Sequence, residues 1–169
     1  TATPTSGTSN GTGIGSFSSS LSSLSVNTKY FYRAYATNTA TGYGAESSFF
    51  TLANTPSAPT VGNPTTTSLD VSVTSGDGNP ASTEYAIYET TTGNYVQAGG
   101  TLGASAVWQT ASTWGTKTVT GLTASTTYTF EVKARNGDNV ETAYSTTANG
   151  TTAANSLLTY ANLQWPLTL

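Results

Sequence analysis

Any chemistry in this chain has to come from carboxylates, hydroxyls and amides, because histidine, cysteine and methionine are all absent. Without His or Cys there is no Ser-His or Cys-His nucleophile pair, and the usual ligands of transition metals are missing. The acids are Glu46, Asp70, Asp77, Glu84, Glu89, Glu131, Asp138 and Glu141. Asp77 and Asp138 lie in Gly- and Asn-rich stretches, where a short carboxylate caps its own turn. The others alternate with apolar residues and are expected to face solvent. Backbone carbonyls could complete an oxygen cage for Ca²⁺ at Asp77 or Asp138, but neither stretch has the spacing of a calcium loop. Gly11-Thr-Gly13-Ile-Gly15 resembles a phosphate cradle, yet neither a Lys nor a helix follows it, so it reads as a turn. The expectation is no catalytic residue, no cofactor, no metal and no enzyme.

Two tryptophans offer a different kind of site. Trp108 and Trp114 are six residues apart in Val107-Trp-Gln-Thr-Ala-Ser-Thr-Trp-Gly115. On one strand they would share a face and could stack on the rings of a glycan. The competing reading is that they fill a core. Asn10-Gly-Thr12 and Asn149-Gly-Thr151 fit the N-glycosylation pattern, which arises readily by chance in a chain this rich in Asn and Thr. No Arg-Gly-Asp triplet occurs.

The composition narrows the class of partner. Only 8% of the 169 residues are charged, the net charge is −3, and roughly a third are Ser or Thr. Lys29, Arg33, Lys117, Lys133 and Arg135 are scattered and form no basic stripe, so nucleic acid is not an expected partner. No run approaches the ~20 apolar residues of a membrane helix, so no membrane insertion is expected. Thr-rich strands can be soluble through hydroxyls instead of charges. The chain opens without Met or a signal sequence, which suggests a mature or excised segment exported by a signal outside it.

The elements that hold these residues follow from an internal repeat. Leu24-Ser-Val-Asn-Thr-Lys-Tyr30-Phe-Tyr32-Arg-Ala34-Tyr-Ala36-Thr-Asn38 aligns without a gap to Leu122-Thr-Ala-Ser-Thr-Thr-Tyr128-Thr-Phe130-Glu-Val132-Lys-Ala134-Arg-Asn136, 98 residues on. In both, a Leu precedes a Tyr by six, and every second residue from that Tyr is apolar or small. Period two marks a strand with one buried face, and the repeat length suits one β-sandwich domain. In the first copy, strands are expected at Phe17–Leu21, Lys29–Asn38 and Ala45–Leu52. In the second they are expected near Thr60–Val61, Leu69–Val73, Thr83–Glu89, Tyr95–Ala98, Ala106–Thr110, Thr116–Val119, Tyr128–Asn136 and Val140–Thr147. No stretch has a helical period. The inward set is expected to be Leu69, Val71, Val73, Tyr85, Ile87, Leu122, Tyr128, Phe130, Val132 and Ala134.

The Leu-to-Tyr spacing resembles the tyrosine corner of Greek-key sandwiches, with Leu24 and Tyr30 in one copy and Leu122 and Tyr128 in the other. Gly121 to Asn136 resembles the turn and following strand of a fibronectin type III domain, and Ser57-Ala-Pro59-Thr-Val61 resembles that family's first strand. Gly11-Thr-Gly-Ile-Gly-Ser-Phe17 and Arg33-Ala-Tyr-Ala-Thr-Asn38 are similar in particular to repeats of secreted bacterial surface proteins. The resemblance implies all-β tandem Greek-key sandwiches of fibronectin type III or immunoglobulin-like class, serving spacing, adhesion and display at the cell surface. It implies the back part of one sandwich over 1–53, a short stiff linker at 54–59 and a complete domain over 56–152. The family usually carries a Trp in its second strand where this chain has Leu69-Asp-Val71-Ser-Val73, so Trp108 or Trp114 is expected to fill the core instead.

Residues 153–169 fit neither domain. In Leu157, Thr159, Ala161, Leu163, Trp165, Leu167 and Leu169 the odd positions are mainly apolar, an amphipathic strand of about 43 Å if fully extended. Such a strand is either the start of a further module or an assembly strand donated to a neighbour. Expected partners are therefore further copies of the chain, neighbouring domains of the same protein, or a glycan. Two functions compete: a structural repeat of an extracellular filament, stalk or adhesin, or an accessory spacer or weak carbohydrate-binding module of a secreted polysaccharide-degrading enzyme.

Overall fold

A computed structural model describes residues 7–74 and 76–156. The first copy forms β1 (Lys29–Tyr32), β2 (Tyr35–Thr37), β3 (Thr41–Tyr43) and β4 (Ser47–Phe50). The second forms β5 (Thr60–Gly62), β6 (Ser68–Ser72), β7 (Glu84–Glu89), β8 (Asn94–Val96), β9 (Leu102–Gly103), β10 (Gln109–Thr110), β11 (Thr116–Thr120), β12 (Thr127–Arg135) and β13 (Ala148–Thr151). One helical turn, α1 (Ala111–Trp114), interrupts the otherwise all-β order.

From Thr60 onward two antiparallel sheets face each other. One has the order β11-β6-β5; the other runs β13-β12-β7-β8-β9, with β10 also paired to β7. The alternation along β12 explains the layering. Tyr128, Phe130, Val132 and Ala134 are buried while the residues between them are not. They meet Leu69 and Val71 of β6 and Val119 of β11 in one core. Tyr85 and Ile87 of β7 belong to the same core, whereas Val73 only packs against its edge.

The largest buried side chain is Trp114. It belongs to the same core as Leu69, Tyr85 and Val119, and its indole Nε1 donates to the carbonyl of Tyr85 at 2.8 Å. A buried indole needs such an acceptor, and a ring of this size contributes roughly 150–250 Å² of burial. The helical turn aims it: the Thr110 hydroxyl accepts from Thr113 N–H at the N-terminus, and Gly115, at φ 51°, releases the chain.

Both corners are built alike, bond for bond. Tyr30 Oη accepts from Ser25 N–H at 2.9 Å, and Tyr128 Oη accepts from Thr123 N–H at 2.9 Å. Thr51 and Thr152 play matching parts. Each accepts at its hydroxyl from a backbone N–H, of Thr28 or Thr126, at 3.0 Å, and each donates to a carbonyl, of Ser25 or Thr123, at 2.6 Å. Asn27 and Ser125 hold left-handed φ of 41° and 53°, and their N–H groups donate to Leu52 and Ala153.

Several expected strands take other forms for physical reasons. Phe17–Leu21 forms no strand. Leu21 aligns with Val119 of β11, whose hydrogen-bonding partner is β6, and the described first copy has no strand in that place. Lys29–Asn38 breaks into β1 and β2 at Arg33-Ala34, and Thr41–Tyr43 closes a hairpin on β2. Val140–Thr147 is irregular. There the hydroxyls of Thr142 and Ser145 accept from the N–H groups of Ala134 and Val132, substituting for ladder carbonyls until β13 takes over.

Tyr128 accepts its bond inside a well-packed sandwich, so Tyr128→Phe removes a partner from a turn N–H. The expected cost is about 1 kcal/mol in a reversible denaturant melt of the full chain; an unchanged midpoint and slope would show that the bond contributes nothing.

Candidate functional site

The carboxylates are dispersed, and Asp70, Asp77, Glu84, Glu89, Asp138 and Glu141 each have a local structural partner. Asp77 caps its own turn, accepting from Asn79 N–H at 2.9 Å and from the Tyr85 hydroxyl at 2.8 Å. Burial, followed by that carboxylate, pushes the Tyr85 hydroxyl well above the ordinary tyrosine range. Asp70 accepts from Thr118 and Asn63, and these bonds hold its carboxyl below the usual range. Glu84 pairs with Arg135, and Glu141 pairs with Lys133 at 3.0 Å.

Glu89 does not face solvent. It is fully buried, and its oxygens accept from Thr91 N–H at 2.7 Å, Thr92 N–H at 2.8 Å and the Thr92 hydroxyl at 2.5 Å. Three donors replace the water that its carboxyl loses on burial. The signal was its phase: Tyr85, Ile87 and Glu89 share one face of β7, and Thr-Thr-Thr-Gly follows. Among the described residues no group of three or more metal-ligating side chains occurs, and no helix is long and apolar enough to cross a membrane.

The tryptophans do not make a shared platform. A strand ends at Thr110 and a helical turn follows, so Trp108 and Trp114 do not lie on one strand face. Trp114 is 1% exposed, which removes it as a sugar contact. Trp108 is half-buried, with the Arg135 guanidinium over its ring at 4.8 Å. A larger aromatic surface lies elsewhere: Tyr88 stacks on Tyr144 at 5.3 Å and meets Tyr95 at 4.8 Å, with the Tyr95 and Tyr144 hydroxyls 3.0 Å apart.

The densest polar constellation joins the two copies. Asn27, buried, donates through Nδ2 to the Thr83 hydroxyl at 2.8 Å and accepts through Oδ1 from Gly137 N–H at 3.1 Å. Asn136 Nδ2 donates to the carbonyl of Thr51 at 3.2 Å, and Phe50 N–H donates to Asp138 at 2.8 Å. A few residues on, Asn54 donates N–H to Asn79 Oδ1 at 2.8 Å and Nδ2 to the carbonyl of Asp77 at 2.9 Å, while Asn79 Nδ2 donates to the Asn54 carbonyl at 2.9 Å. The Phe50 ring lies so close over Gly137 that a Cβ there would come within 2.3 Å of it. Pro56 and Pro59 are both buried. The stretch between the copies is therefore bonded down along its length.

The first copy also presents an apolar surface. Tyr30 stacks on Phe49 at 6.0 Å and Tyr32 lies at the same distance from that ring. In the second copy the residues aligned with Tyr30 and Tyr32, Tyr128 and Phe130, are buried under β6 and β11. In the first, Tyr32 is 53% exposed and no second layer lies over it among the described residues. The assembly-strand residues Leu157 to Leu169 fall outside the described residues.

No protein-family model matches the chain, and no curated protein matches it. Solved structures similar to it include a human fibronectin type III domain, from fibronectin type III domain containing protein 3 (21% identity, 60% of this chain and 87% of that one, TM-score 0.43). Domains d3–d4 of the rat CD45 extracellular region are also similar (20% identity, 89% and 76%, TM-score 0.44). So is a segment of two fibronectin type III domains from chicken tenascin (15% identity, 72% and 62%, TM-score 0.42). The fold of this chain, a fibronectin type III-like antiparallel sandwich, stands on its own sheet order and corner bonds.

Asn27→Ala would leave the buried Thr83 hydroxyl and the Gly137 N–H without the partner they share. The expected loss is about 1–3 kcal/mol in a denaturant melt, accompanied by amide shifts at Gly137 and Thr83 in NMR spectra. Unchanged stability and spectra would show that the junction is not bonded in solution.

Proposed function

We propose that this chain is a non-catalytic structural spacer of a secreted bacterial surface protein, part of an extracellular filament, stalk or adhesin. The observation that carries the reading is the exposed aromatic sheet of the first copy, in a chain whose residues 157–169 alternate apolar and polar. The proposal joins the two by strand addition: the C-terminal segment of one subunit pairs with the β1–β4 sheet of the next. Burial of each large side chain, such as Leu163, Trp165, Leu167 and Leu169, would contribute roughly 1.5–3 kcal/mol. Such a contact is head-to-tail and propagates as a filament unless its rotation closes a ring. The bonded junction supports a spacer role, because it fixes the direction between successive units instead of leaving a free tether.

The half-exposed Trp108 ring favours the second reading, a weak carbohydrate-binding accessory module, and the burial of Trp114 leaves that reading with one tryptophan instead of two.

Deleting 157–169 is expected to abolish regular filaments in electron micrographs while leaving the melt of the 56–152 sandwich unchanged. Filaments that survive the deletion would contradict strand addition, and selective glycan binding by dispersed monomers would favour the second reading.

A further inference from the structure

The corner that carries the junction in the first copy recurs, bond for bond, at the far edge of the second, where nothing among the described residues covers it. In the first copy the junction uses the Asn27 side chain, the Phe50 N–H, the Thr51 carbonyl and both the backbone and the carboxamide of Asn54. The chain runs Thr51-Leu-Ala-Asn54 after one corner and Thr152-Ala-Ala-Asn155 after the other. Because Thr51 and Thr152 clamp their corners identically, Ser125 stands where Asn27 stands, Thr151 where Phe50 stands, and Asn155 where Asn54 stands. Lys29 pairs with Phe50 as Thr127 pairs with Thr151, so the register agrees as well. The burial differs at two of these places. Asn27 is 8% exposed and Phe50 half-buried at the occupied junction, whereas Ser125 and Thr151 are exposed; Asn54 and Asn155 are exposed alike, and Thr152 is buried in its own corner.

We propose that the edge formed by Ser125, Thr151, Thr152 and Asn155 is a docking surface for the loop end of a further sandwich of this repeat. The partner's chemistry is read from the junction already filled. It presents an Asp-Gly-Asn turn, as at 77–79, whose carbonyl and amide groups meet the Asn155 carboxamide and backbone. It also presents an Asn-Gly-Asp turn, as at 136–138, whose Asn donates to the Thr152 carbonyl and whose Asp accepts from the Thr151 N–H. A second copy of this chain offers that loop end only where its own 77–83 and 136–139 turns are released from its own first copy, so a separate sandwich is the better fit. The inference is independent of strand addition, since it concerns a loop end meeting an edge and not a strand entering a sheet.

The test extends the chain by placing a second copy of 56–152 directly after Ser156. Hydrogen exchange of the Thr151 amide is then read by NMR, and the direction of the added sandwich by residual dipolar couplings. The expected result is one fixed direction for the added sandwich and a Thr151 amide that exchanges about tenfold more slowly than in the unextended chain. Asn155→Ala should return both towards free behaviour, and Ser125→Asn, which restores the side chain used at the first junction, should slow exchange further. An unchanged Thr151 rate, an added sandwich that reorients independently, or an added sandwich that fails to fold on this edge would each overturn the proposal. Loss of filaments on deleting 157–169 would leave these readouts unaffected, so the two proposals fail separately.

Discussion

An apolar sheet face exposed to water is costly, and covering it needs a second layer. The two halves of this chain meet that constraint differently. From Thr60 onward, β6 and β11 lie over the inward residues of β7 and β12, and Trp114 is buried with them. In the first copy the same alternation produces Tyr30 and Tyr32, but the described residues hold no layer to bury them. The corners are equivalent, and among the described residues the cover is not.

Where burial is limited, hydroxyls and carboxamides take over. Thr and Ser side chains substitute for backbone carbonyls beside β12, clamp both corners and hold the carboxylates of Asp70 and Glu89. This is how a chain with 8% charged residues remains specific about its loops: Thr, Ser and Asn side chains bond backbone groups at the corners and the junction, and no buried side-chain polar atom among the described residues lacks a partner. The same chemistry couples the two copies, because Asn27, Asn54, Asn79 and Asn136 each offer both a donor and an acceptor at a place where two irregular loops meet.

Much of the sandwich was legible because period two is a strong signal along Tyr128–Arg135, and because the Leu122-to-Tyr128 spacing fixes a corner. What escaped the sequence depended on contacts between distant residues. Glu89 looked solvent-facing because carboxylates usually are, yet its phase on β7 turns it inward and the threonines after it supply donors. Phe17–Leu21 finds no pairing strand among the described residues, and pairing decides whether such a stretch forms. Trp114 was one of two candidates for the core; the one-turn helix that aims it is too short to show a 3.6-residue period. The junction was hidden for the same reason: four asparagines in loops carry no spacing that announces a contact across more than 80 residues.

The first copy carries the same corner as the second, with no covering layer among the described residues. Native-state hydrogen exchange on the dispersed full chain tests this most directly, by comparing amides paired within β1–β4 with those paired within β7–β12. The β1–β4 amides are expected to open at a much lower free energy than the β7–β12 amides, which should exchange only through global unfolding. Equal protection of the two sets would contradict this, because it would mean that the first copy's sheet is already covered.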